Sequence, residues 1–72
     1  MFEDSLETIL DLPIGATFIF LYYEYVLISY KSSKFGFATV VRKEIYDSKS
    51  PSAVQAGKEL FDHQLFVVRI KK

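Results

Sequence analysis

Cysteine is absent from this chain of 72 residues, histidine occurs once, and no lysine or arginine appears before position 31. Each gap removes a class of answer. Without cysteine there is no disulfide framework to staple so small a domain, and the composition suits an intracellular protein. With His63 as the single histidine, a transition-metal site has too few ligands. Gly15, Gly36 and Gly57 lie too far apart for a phosphate-cradling loop or a dinucleotide fingerprint. The opening residues, Met1-Phe2-Glu3-Asp4, carry acid where an export signal carries lysine or arginine. Residues 12–29 approach membrane-spanning length, but Pro13, Gly15 and Glu24 interrupt them, and their β-branched and aromatic content suits a sheet. The expectation is one compact domain, residues 1–72, cytoplasmic, with no cofactor, no metal and no membrane contact.

What the chain has in excess is apolar surface. Residues 16–30 hold six aromatic side chains and a single charge, Glu24. At a strand rise of ~3.3 Å per residue, fifteen extended residues span ~50 Å. A domain of this length is only roughly 30 Å across, so the run bends, turns, or reaches out to a partner. Small size sharpens the question. About 60 % of the unfolded surface is buried in a domain this short, so an aromatic core, self-association, or both must supply stability.

Formal charge sums to zero but is unevenly spread. Glu3, Asp4, Glu7, Asp11 and Glu24 face no base in the first 30 residues, whereas Lys31, Lys34, Arg42, Lys43, Lys49, Lys58, Arg69, Lys71 and Lys72 outnumber Glu44, Asp47, Glu59 and Asp62 in the rest. Such polarity either draws the two halves together within the fold or steers a partner.

Local signals give an element order. Asp4 and Glu7 have capping-box spacing, and Leu6, Ile9 and Leu10 recur at helical spacing, which predicts a short helix over residues 5–10. Pro13 ends it, and Asp11 to Gly15 turn the chain. Strands are predicted over 16–21 and 25–30 with a bend at Tyr22-Tyr23-Glu24, although no glycine, proline or asparagine marks that bend, and a single bulged strand fits as well. Lys31 to Lys34 read as a hairpin loop, Gly36 as a bulge, and 35–46 as the next strand. Ser50 and Pro51 form a strong helix start. A second helix over 51–61 would bury Ala53, Gly57, Leu60 and Phe61, and a last strand over 65–70 follows. The fold class predicted is α+β: a small antiparallel sheet of three to four strands with two helices packed on it, in the order α-β-(β)-β-α-β.

Candidate chemistry is sparse. Asp62-His63 is the only acid–base dyad, and neighbours in a turn seldom address one substrate atom. Asp4, Glu7 and Asp11 read as a solvated helix face rather than a cation site. Residues Lys34-Phe35-Gly36-Phe37-Ala38 share a base, a glycine and two aromatics with the third-strand signature of the RNA-recognition motif, whose aromatics stack on bases. They lack its glycine directly after the base and its later aromatic, and the element order lacks that fold's first strand, so the family is not assigned.

Two functional readings follow. The first is a non-enzymatic protein-binding or regulatory module that acts by covering a partner's surface with Tyr22, Tyr23, Tyr25 and Tyr30 and that forms a homodimer. Tyrosine joins a large apolar ring to a hydroxyl that tolerates water, which suits interfaces. A chain this small suits an inhibitor of a host protein, of the phage or mobile-element kind. The second reading is a single-stranded nucleic-acid binder using Lys31, Lys34, Phe35, Phe37, Arg42 and Lys43, with phosphate contacts dominant.

Overall fold

The computed structural model describes residues 5–30 and 36–70, and in it the long apolar run folds back on itself as a hairpin. Strand β2 (Thr17–Phe20) turns through Leu21 and Tyr22 into β3 (Tyr23–Tyr30), with Phe20 opposite Tyr23. A two-residue turn keeps the run within a body of 33 × 33 × 19 Å.

Six antiparallel strands make one sheet in the order β1-β6-β2-β3-β4-β5, where β1 is Ser5–Thr8, β4 Phe37–Arg42, β5 Glu59–Asp62 and β6 Phe66–Arg69. Two short helices, α1 (Lys43–Asp47) and α2 (Pro51–Ala56), link β4 to β5. This corrects the predicted sheet of three to four strands with two packed helices: the chain is mostly sheet. Among the described residues, no helix is long and apolar enough to cross a membrane.

Three local departures explain the difference. Residues 5–8 form a strand, followed by one 3-10 turn over Ile9–Asp11. Six residues are too few to nucleate a helix in isolation, and the register of Ser5–Thr8 on Arg69–Phe66 satisfies backbone groups that a short helix leaves open. Beyond Arg42, the predicted strand becomes α1, in which Lys43 reaches Asp47 one turn on. The predicted helix over 51–61 stops at Gly57, whose N–H bonds the carbonyls of Ala53 and Val54. Glycine weakens a helix by roughly 1 kcal/mol, and the open edge of β4 accepts residues 59–62 as a strand, placing Phe61 opposite Ala38.

The helix start at Ser50 holds: its hydroxyl accepts from the Ala53 N–H, and Pro51 takes the first helical position. Gly36 has a left-handed backbone, but the register shift lies in β3, between Leu27 and Ser29. The cap residue Asp4 and the loop Lys31 to Lys34 lie outside the described residues.

Aromatic contacts show that the sheet rolls up. Strands β2 and β5 are separated by two others, a gap of roughly 14 Å in a flat sheet at ~4.8 Å per strand. Yet the ring of Phe61 in β5 lies 6.1 Å from Phe18 and 5.5 Å from Phe20, both in β2, and 4.9 Å from Tyr25 in β3. The sheet therefore curls over these rings. Past β1 the chain stays bonded to the corner between β5 and β6, where Ile9 and Leu10 donate to the carbonyls of Leu65 and His63 at 3.1 and 3.0 Å.

Inside the curl lie Ile9, Leu12, Phe18, Tyr25, Leu27, Ala38, Val40 and Val67. Val26 and Val41, opposite each other in register, are buried on the other face, and α1 contacts both of their strands. Gly57 permits close approach of the two helices: a Cβ there would stand 2.9 Å from Cδ1 of Ile45. Among the described residues, an ion pair joins the acidic half of the chain to the basic half, Glu7 to Arg69 at 3.7 Å, with both side chains partly buried.

Candidate functional site

The β2–β3 turn places its two central residues in solvent with left-handed backbones, Leu21 at φ 50° and Tyr22 at φ 73°. Two-residue hairpins favour positive φ at both positions, because that twist matches the strands, and they normally use Asn-Gly. A leucine followed by a tyrosine is a costly choice, since a side chain in the left-handed region costs roughly 1–2 kcal/mol per residue. Burial does not offset that cost. Leu21 is 68 % exposed and Tyr22 is 100 % exposed.

Behind this tip, Tyr23 is 49 % exposed and carries the Arg42 guanidinium on its ring, 4.1 Å from the centroid. Arg42 also meets Glu44 at 3.6 Å. Desolvation acts against the charge of Arg42, but Tyr23, Tyr25 and Glu44 outweigh it and raise the pKa above the ordinary arginine value. Beside the tip an open groove of about 400 Å³ is lined by Tyr22, Tyr23, Glu24, Arg42, Lys43 and Asp47, among others. Its charges are largely matched within the chain. The hydrogen bond to Asp47, at 2.6 Å, raises the pKa of Lys43 despite some desolvation.

The four tyrosines proposed from sequence do not form one surface. Tyr25 belongs to the core, stacked on Phe18 at 5.7 Å. Tyr22 and Tyr23 stand at the tip, and Tyr30 closes the far end of β3. The sequence gives no sign of the role of Leu21, because nothing about a leucine announces a left-handed turn.

The proposed nucleic-acid set is likewise divided. Phe37 opens β4 and Arg42 closes it, roughly 17 Å apart at the strand rise. Arg42 and Lys43 are engaged by Glu44 and Asp47, while Lys31, Lys34 and Phe35 lie outside the described residues.

The Asp62-His63 pair serves the corner between β5 and β6. Asp62 accepts from the Gln64 N–H at 2.8 Å, and Nε2 of His63 lies 3.1 Å from the Phe37 carbonyl oxygen. The His63 N–H donates to the Gly36 carbonyl at 2.7 Å. These bonds aim the two side chains at different backbone groups. Glu7 stands in β1 rather than on a helix face, and Asp11 accepts from the Thr8 hydroxyl at 2.9 Å. No group of three or more His, Asp or Glu among the described residues is arranged to hold a metal ion.

Comparison with protein-family models, with curated proteins and with solved structures finds no match.

Proposed function

We propose that this chain is a non-enzymatic, cytoplasmic protein-binding module, a regulator or inhibitor that covers a site on another protein with the tip of its β2–β3 hairpin. The observation that carries the reading is the pair of left-handed, solvent-exposed apolar residues Leu21 and Tyr22. Backbone strain without burial brings the isolated chain no return, and strain of this kind clusters at binding and switching elements. Burial against a partner would supply the return. A fully exposed tyrosine on a turn set by a two-strand ladder is also a pre-positioned anchor, with few rotors left to freeze.

Tyr23 supports the tip. Its ring carries the Arg42 guanidinium on one face, which ties the base of the tip to β4. Self-association belongs to the same reading. Leu6 and Phe66, both mostly exposed, lie on one face of the β1–β6 pair, a surface that a second copy would cover.

Affinity capture from a lysate, run with and without nuclease, tests the proposal. A stoichiometric protein retained after nuclease treatment is the expected result. Loss of every partner on nuclease treatment, with nucleic acid in the untreated eluate, would favour single-strand binding instead.

A further inference from the structure

The second feature of this molecule that can receive a ligand lies between the helices. The chain leaves α1 through Ser48, turns at Lys49 with a left-handed backbone of φ 56°, and enters α2 at Pro51. Where the helices meet, at Ile45 and Gly57, they leave an open groove of about 570 Å³. Tyr46, Pro51 and Val54 give it a mostly apolar wall, and Lys49 and Lys58 line it as well.

The charges are unbalanced. Among the described residues, neither lysine has an acidic partner within ion-pair distance. The one acid lining the groove, Asp47, is already held by Lys43 at 2.6 Å. A mostly apolar trough lined by two lysines without an ion-pair partner among the described residues is complementary to a ligand that joins an apolar side chain to carboxylates.

Lys49 strengthens the argument. The residue just past a helix end in the left-handed region is usually glycine, or asparagine. Here a lysine holds that position, half of a positive pair beside an apolar cleft, at the expense of backbone strain.

We infer that the α1–α2 groove binds an acidic peptide segment of a partner, seating one apolar side chain against Tyr46 and Val54 and its flanking carboxylates on Lys49 and Lys58. The groove meets the charged surface beside the hairpin tip at Asp47, which lines both. One partner can therefore engage the two surfaces together. Binding at the groove does not depend on the tip, and each surface is tested separately.

The test titrates the full chain into a fluorescein-labelled peptide, Glu-Glu-Leu-Phe-Glu-Glu, and reads anisotropy. Saturable binding is expected, weakened roughly tenfold by Lys49→Glu with Lys58→Glu and roughly threefold by Lys49→Gly. Lys49→Gly relieves the left-handed strain, so its melting temperature should not fall, which separates lost binding from lost folding. A peptide with Ser-Ser in place of Leu-Phe, or with lysine in place of glutamate, should not bind.

Absence of saturation, equal binding of either control peptide, or indifference to the lysine variants would overturn the inference. So would tighter binding of a single-stranded oligonucleotide that is lost in the same variants, because phosphate would then be the ligand.

Discussion

The guanidinium carbon of Arg42 lies 4.1 Å from the centre of the Tyr23 ring, and their strands pair through the Tyr25–Arg42 register. The contact ties the base of an exposed hairpin tip to the strand from which α1 departs. A cation over an aromatic face contributes about 0.5–1 kcal/mol where water has access. Replacing Arg42 with methionine keeps the aliphatic stem and removes the charge. We expect a loss of about that size in chemical denaturation, together with a change in the Tyr23 ring resonances.

Strain at the tip gives a second prediction. Leu21→Asn with Tyr22→Gly installs the pair that two-residue hairpins prefer at the positions with φ 50° and 73°. Stability should rise by about 1–2 kcal/mol, less than the summed strain of the two positions because glycine loses more chain entropy on folding, read as a higher denaturation midpoint with an unchanged slope. A fall in stability would show that the native turn is not strained.

Phe61 holds the rolled sheet closed through its contacts with Phe18, Phe20 and Tyr25. Phe61→Ala should cost about 3 kcal/mol, at the low end for a phenylalanine because the ring is only partly buried. Denaturant titration measures this. Phe61→Leu, which restores most of the apolar volume, should recover more than half of the loss.

The Lys43–Asp47 pair sets a pH dependence. Asp47 raises the folded-state pKa of Lys43, so the contribution of this group is fully present below the unfolded lysine value of ~10.4. It is lost as pH rises through the higher folded value. Across neutral pH the contribution of the Lys43 charge is therefore constant, and it changes only where Lys43 itself titrates, on the alkaline side. Following the Lys43 side chain by NMR should give a pKa above that of an unfolded lysine, and Asp47→Asn should return it toward that value.

What the sequence revealed depended on whether the signal was local. Ser50 and Pro51 act within one turn, and the helix they predict begins where they stand. The need for residues 16–30 to bend followed from length alone, but the place of the bend did not, because Leu21 and Tyr22 carry no turn chemistry. Residues 5–8 and 59–62 form strands that the sequence does not announce, for the opposite reason. Their strand character comes from partners distant in sequence, Arg69–Phe66 and Val40–Phe37, and a four-residue edge strand has too few positions to show a period of two against a helical one. Tyr25 shows the same limit at the site. It resembles its exposed neighbours in sequence, and only the register with Phe18 and the curl toward Phe61 place it in the core.

The decisive experiment compares the native chain with the variant carrying Leu21→Asn and Tyr22→Gly in binding to the partner recovered by capture. If the hairpin tip is the binding element, the variant binds at least about a hundredfold more weakly while melting at the same or a higher temperature. Equal affinity for a correctly folded variant would contradict the account, because the two exposed, left-handed residues would then carry no part of the interaction.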